Sequence, residues 1–247
     1  MKIAAFEVRE DEKKSFAHWA EVYQAEVVEH SEGPSLENTE LVAGCEGVTM
    51  CGQGKIDREL LTENQKLGVK WLSTRTIGSD HIDLAAAKEL GISVCHANYA
   101  PDAVADFTVM MILMCLRQYK QAFWRSYVND FSLPGLQGRN LKAMTVGVMG
   151  TGRIGKQVIR DLQGFGCRIL AYDVYQNAEV AEMAEYVDLD TFYKECDIIT
   201  LHMPLLPSTH HIINRESIAK MKKGVILVNC ARGALADSEA LIEGIES

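Results

Sequence analysis

The amino-acid sequence predicts an α/β protein made of two doubly wound parallel-sheet domains, one over residues 1–99 and one over 100–247. Three observations predict it. Short β-branched apolar runs alternate with amphipathic stretches along the chain. A glycine-rich turn, Gly150-Thr151-Gly152-Arg153-Ile154-Gly155, follows one such run and opens a helical pattern. The junction Asn98-Tyr99-Ala100-Pro101-Asp102 then divides the alternation in two, with Pro101 suited to the first turn of a helix and Ala100 restricted to extended geometry.

The strongest element is the one around the glycines. Met144-Thr145-Val146-Gly147-Val148-Met149 has the pattern of a buried strand. It breaks into G-x-G-x-x-G and then into helical spacing at Ile154, Val158, Leu162 and Phe165; a second apolar run, 168–172, ends at Asp173. Gly150 allows a tight turn, Gly152 lets a pyrophosphate approach the backbone, and Gly155 lets the helix pack close to the sheet. Unpaired N–H groups at the helix start face the phosphates. Asp173 stands roughly 20 residues on, where a carboxylate accepts from both ribose hydroxyls of NAD and repels a 2′-phosphate. An ordinary glycine-rich turn explains the glycines alone. Strand, helix, second strand and terminal acid together point to a dinucleotide, and Asp173 points to NAD.

In the first stretch, strands are expected at 3–8, 25–28, 47–51, 69–74 and 91–95, with helices at 15–23, 38–43, 57–66 and 80–90. Two loops follow strands there: Gly52-Gln53-Gly54 and Arg75-Thr76-Ile77-Gly78-Ser79-Asp80. Open α/β sheets place ligands at such strand ends, and the second loop runs into a helix whose N–H groups suit a carboxylate. Plain turns, with Asp80 as a cap, account for the same residues.

In the second stretch, the helix expected at 101–125 is apolar on nearly every side, from Val104 through Phe107, Met110 and Ile112 to Leu116. Such a helix must be buried on several faces, which suggests a homodimer. After Asp173 the reading gives a helix at 190–196 and a strand ending in His202-Met203-Pro204. A helix at 216–221 and a strand ending in Cys230-Ala231-Arg232-Gly233 follow, then a helix at 238–246 capped by Asp237.

A net charge of −9 over 247 residues leaves no electrostatic footprint for nucleic acid or an anionic membrane. The N-terminus reads as a strand, not a signal peptide, and the longest apolar run, 107–116, is too short to span a bilayer. Seven cysteines with no C-x-x-C pair read as small reduced core residues of a cytoplasmic protein, with no metal site.

Together the residues resemble the NAD-dependent D-2-hydroxyacid dehydrogenases, from end to end. The resemblance rests on Ser73-Thr74-Arg75-Thr76-Ile77-Gly78-Ser79-Asp80-His81-Ile82-Asp83, on Tyr99-Ala100-Pro101-Asp102, on the glycine fingerprint, on Leu201-His202-Met203-Pro204-Leu205 and on Val228-Asn229-Cys230-Ala231-Arg232-Gly233. Tyr99 in Tyr-x-Pro and Gly164-Phe165-Gly166 are most similar to the D-lactate dehydrogenase branch, which includes the vancomycin-resistance enzymes.

The resemblance implies a flavodoxin-like substrate domain over 1–99 and a Rossmann NAD-binding domain over 100–247, the second incomplete. It implies hydride transfer between NADH and a 2-keto acid, pyruvate favoured, giving the (R)-2-hydroxy acid. Arg232 binds the substrate carboxylate and polarises the keto group, a task suited to its planar fork. Backbone amides of Ile77 and Gly78 hold the carboxylate, and Tyr99 reaches the substrate. Thr151, Gly152, Arg153 and Ile154 cover the pyrophosphate, Asp173 holds the ribose, and His202, Met203, Pro204, Cys230 and Ala231 line the cofactor cleft. A contact with the cofactor is expected of His202, and no proton transfer. Family members run on beyond Ser247, and the part beyond carries their catalytic Glu and His. None of His18, His30, His81, His96, His202, His210 or His211 stands in that histidine's motif, so a rate lower by at least about 10²–10⁴ is expected of the chain alone. The alternatives are a larger substrate, of the 2-hydroxyisocaproate or 2-hydroxyglutarate kind, and a non-catalytic NAD(H)-binding role like that of the C-terminal-binding-protein corepressors.

Overall fold

The computed structural model describes residues 1–52 and 54–246; Gln53, the centre of the loop expected after the third strand, and Ser247 lie outside the described residues. The chain divides into two units, Met1–Tyr99 and Ala100–Ser247.

In the first unit, β1 (Lys2–Ala5), β2 (Glu26–Glu29), β3 (Gly47–Met50), β4 (Trp71–Thr74) and β5 (Ser93–His96) form a parallel sheet of order β2-β1-β3-β4-β5. Alternation within the strands sends Ala4, Val48, Met50 and Leu72 into one core with Leu60 and Leu61 of α2 (Arg58–Lys66) and Ala86 and Ala87 of α3 (Leu84–Glu89). Alternation sends Ile3, Gly47, Thr49, Trp71, Ser73 and Cys95 the other way. There, with Phe16, Trp19 and Tyr23 of α1 (Lys13–Tyr23), they border an open cavity of about 740 Å³.

Two expectations are corrected in this unit. The helix placed at 80–90 starts at Leu84, because Asp83, not Asp80, accepts from the N–H of Ala86 at 2.9 Å. The helix placed at 38–43 is a 3-10 segment, Leu36–Val42, opened by Ser35, whose hydroxyl accepts from Glu37.

The second sheet has the order β10-β9-β6-β7-β8, all parallel, from β6 (Thr145–Met149), β7 (Arg168–Tyr172), β8 (Glu185–Tyr186), β9 (Ile198–Leu201) and β10 (Ile226–Asn229). Val146, Val148 and Ile198 face a core with α4 (Asp102–Leu116) and α6 (Arg153–Gln163); Met149, Leu170 and Ile199 face another with Phe192 and Tyr193 of α8 (Leu189–Glu195). Helices therefore cover both faces. Gly147 is glycine because α8 lies close: a Cβ there would collide with Cys196 Sγ and the Phe192 ring.

The helix expected at 101–125 is two helices, α4 and α5 (Tyr119–Tyr127), broken where Gln118 takes a left-handed φ of 51°. Nor is α4 buried on several faces by this chain: Ala105, Thr108, Ile112 and Leu116 are inside, while Phe107 is 52% and Met110 43% exposed. The sequence reading missed α7 (Ala178–Ala181) and β8, and α9 is Arg215–Ala219, capped by Asn214. The last helix, α10, spans Ser238–Glu246. Cys45 and Cys196 are core residues as expected, but Cys95 and Cys115 are exposed; all seven cysteines are free. Among the described residues no helix is long and apolar enough to cross a membrane.

Candidate active site

Parallel strands deliver their C-terminal ends to one side of a sheet, and in the second unit four of those ends carry the residues singled out above. The first is β6. Gly150 turns the chain with φ +94°, a conformation L side chains rarely adopt, and a Cβ on it would lie 2.7 Å from the Met203 nitrogen. The loops after β6 and β9 therefore pack backbone to backbone, at the point where strand order reverses. Gly155 meets the Gly150 carbonyl so closely that no side chain fits between helix and turn.

Gly152 is different. Among the described residues nothing lies within 4 Å of where its Cβ would be, so packing inside the chain does not demand glycine there. A group approaching from outside would meet bare backbone there. Gly152 is also the N-cap of α6, and no side chain caps that helix, whereas Asp57, Asp83, Asp188 and Asn214 cap α2, α3, α8 and α9. Open space over uncapped N–H groups suits a pyrophosphate. The residues fit a dinucleotide.

The second end is β7. Asp173 Oδ2 accepts from the Thr151 N–H at 2.6 Å and from the Thr151 hydroxyl at 3.1 Å, and Oδ1 accepts from the Tyr175 N–H at 3.1 Å. The carboxylate is thus tied to the glycine loop. The Thr151 hydroxyl in turn accepts from Tyr186 Oη at 2.7 Å.

At the end of β9, His202 Nε2 pairs with the Thr200 hydroxyl at 2.9 Å, and burial lowers its pKa to about 4. The imidazole is therefore neutral at neutral pH. At the end of β10, Asn229 closes a turn: its Oδ1 accepts from Ala231 N at 3.0 Å and its Nδ2 donates to Arg232 O at 2.8 Å. Arg232 is half-buried, with Nη1 donating to Ala231 O at 3.1 Å.

The first unit holds the other candidates by itself. Arg75 follows β4 and donates Nε to Glu12 at 3.0 Å and Nη2 to the carbonyls of Phe6 and Glu7. That anchors the start of the loop carrying Ile77 and Gly78. The Thr76 hydroxyl donates to Gly78 O at 2.7 Å, so its partner at 2.7 Å, the Thr74 hydroxyl, must be the donor of that second bond. The loop after β3 is held differently: Glu7 Oε2 accepts from the N–H groups of Cys51 and Gly52 at 2.6 and 2.9 Å. Tyr99 is 45% exposed, so it is no core residue. Tyr186, Glu7, the hydroxyl relay of Thr76 and the turn-closing role of Asn229 were not read as site features from sequence.

The family model described as "D-isomer specific 2-hydroxyacid dehydrogenase, NAD binding domain" matches residues 109–247. The chain belongs to this family. An aromatic 2-oxoacid reductase of Clostridium sporogenes is 46% identical over 251 residues, covering 100% of this chain and 75% of the relative. The apo-structure of D-lactate dehydrogenase from Escherichia coli superposes with a TM-score of 0.90 at 38% identity, over 100% of this chain and 78% of that one. The D-lactate dehydrogenase of Aquifex aeolicus complexed with NAD and lactic acid gives a TM-score of 0.91 at 33% identity, over 99% and 73%. As a D-isomer-specific 2-hydroxyacid dehydrogenase, the protein uses NAD as its cofactor. The orders β2-β1-β3-β4-β5 and β10-β9-β6-β7-β8 are those of flavodoxin-like and Rossmann sheets.

Proposed function

We propose that the enzyme reduces pyruvate, or a 2-keto acid close to it in size, to the (R)-2-hydroxy acid. The observation that carries this is Arg232, which stands in the turn that Asn229 closes at the end of β10, at the same strand ends as the glycine loop and Asp173. When bound, NADH would supply the hydride to C2, and solvent would supply the proton that completes the hydroxyl. This chain's residues bind and orient. Gly150, Thr151, Gly152, Arg153, Ile154 and Gly155 carry the pyrophosphate, Asp173 the adenosine ribose, and His202, Met203, Pro204, Cys230 and Ala231 the cofactor's walls.

In this reading Met1–Tyr99 is the substrate domain. The Ile77 and Gly78 amides and the Tyr99 side chain take the substrate, while the Arg232 guanidinium pairs with its carboxylate and polarises the keto oxygen as charge develops. The family resemblance and the similarity to D-lactate dehydrogenases support it. A second substrate, an aryl-substituted 2-keto acid, is favoured by the 46% identity to the aromatic 2-oxoacid reductase. The reading extends to a homodimer through α4 and α5 and to a cytoplasmic location, in keeping with seven free cysteines.

NADH oxidation with a panel running from pyruvate to phenylpyruvate and 2-oxoglutarate tests the substrate. Pyruvate should give the highest kcat/KM, and R232A should lower it by about 10²-fold or more, as for loss of a charged, bidentate substrate contact. An unaffected R232A rate would remove that residue from the site.

A further inference from the structure

The bonds around Thr151 form a chain whose direction is fixed by chemistry. The Asn177 backbone N–H can only donate, and it donates to Tyr186 Oη at 3.0 Å. Tyr186 has one hydroxyl proton and places it on Thr151 Oγ1 at 2.7 Å. Thr151 has one hydroxyl proton and places it on Asp173 Oδ2 at 3.1 Å. Every donor points toward the carboxylate, so each bond polarises the next, and Thr151, at 3% exposure, keeps the middle of the chain out of water. The elements joined are far apart in sequence: the two-residue strand β8, the glycine loop after β6, and the end of β7.

We propose that Tyr186 is a positioning residue for the cofactor. Acting through Thr151, it holds Asp173 in place and so sets the preference for NADH over NADPH. A carboxylate has about four acceptor positions, and three contacts are made here by Thr151 N, Thr151 Oγ1 and Tyr175 N. The carboxylate is therefore oriented before any ribose arrives. Its preference for a diol over a phosphate depends on its charge staying at that place. Without the Tyr186 hydroxyl, Thr151 Oγ1 loses its donor and is free to turn, and Asp173 loses the only one of its three contacts made by a side chain. The glycine loop, which serves the pyrophosphate of either cofactor, keeps its backbone bond to Asp173.

The inference rests on Asp173 being the ribose carboxylate. Fluorescence titrations of this chain with NADH and with NADPH test both, without needing turnover. Y186F keeps the ring and removes the hydroxyl. It should weaken NADH binding about tenfold, the size of one good hydrogen bond to a charged network, and change NADPH binding far less. T151V should do the same, and Y186F made in the T151V background should add nothing, because the two act as one unit. D173A serves as the reference and should shift the ratio of affinities further than either.

Equal loss of NADH and NADPH affinity in Y186F, or no loss, would overturn the inference, as would full additivity with T151V. If D173A leaves the ratio unchanged, the ribose assignment itself fails. A shift in D173A without one in Y186F sinks the Tyr186 role alone. Thermal melts of each variant identify any that do not fold, and T151V then carries the test for Y186F.

Discussion

The α-carbon of Gly155 faces the carbonyl oxygen of Gly150 with no room for a side chain between them. This contact sets how close α6 comes to β6, and hence where the uncapped start of α6 points. G155A must push the helix away from the turn. It should cost about 1–3 kcal/mol of stability, as overpacking does. NADH affinity should fall by more than that destabilisation produces when G164A, placed in open space, serves as the control. Chemical denaturation and NADH titration of both variants check it.

A second prediction concerns the first unit. The Thr74–Thr76–Gly78 relay ties down the Gly78 carbonyl, in the loop that carries the Ile77 and Gly78 amides. T76V removes the relay's central hydroxyl and keeps the side-chain shape. The expected result is a KM for the keto acid raised about fivefold or more, with Kd for NADH unchanged. A change in NADH affinity instead would contradict the assignment of this loop to the substrate.

The burial that lowers the His202 pKa to about 4 has a consequence for stability. In the unfolded chain a histidine titrates near 6.5. Between those values the unfolded state binds a proton that the native state refuses, so stability must fall as pH falls. The full contribution is present above pH 6.5 and is lost progressively down to about pH 4. H202N should flatten that part of the stability curve, measured by urea denaturation in steps of pH, and should leave NADH affinity independent of pH between 6 and 8.

The apolar residues on α4 and α5 lead to a fourth prediction. Phe107 and Met110 stand out from α4, and Phe123 (59% exposed) and Trp124 (65%) from α5. Such a surface is costly in water and suits a second copy of the chain. Sedimentation should give a dimer, and F123D combined with W124D should give a monomer. A wild-type monomer at micromolar concentration would remove the dimer from the account.

Much of the architecture was legible because strong local signals coincide. The glycine turn sits between a buried strand and an amphipathic helix, and Asp57 and Asp237 precede helices they do cap or flank. The misreadings have physical causes. Asp80 and Asp83 both precede an apolar run, and the choice between them depends on the Ser79–Ile82 turn and on the bridge from Ile56 to Ile82. The break at Gln118 has no glycine or proline to announce it; it is imposed where the chain turns into α5. Cys95 reads as core but lies on β5, an edge strand with three exposed residues in its four. Tyr186 was invisible because a two-residue strand has no periodicity, and its partner Thr151 lies 35 positions away. Sequence spacing gave the carboxylate at 173; only the fold shows what holds it.

The most direct test of the account is a paired titration of the wild-type chain with NADH and NADPH at one ionic strength. The uncapped helix, the open space at Gly152 and the tethered Asp173 carboxylate require NADH to bind, and to bind at least about tenfold more tightly than NADPH, since a 2′-phosphate would meet a fixed negative charge. Equal affinities, or a preference for NADPH, would contradict it.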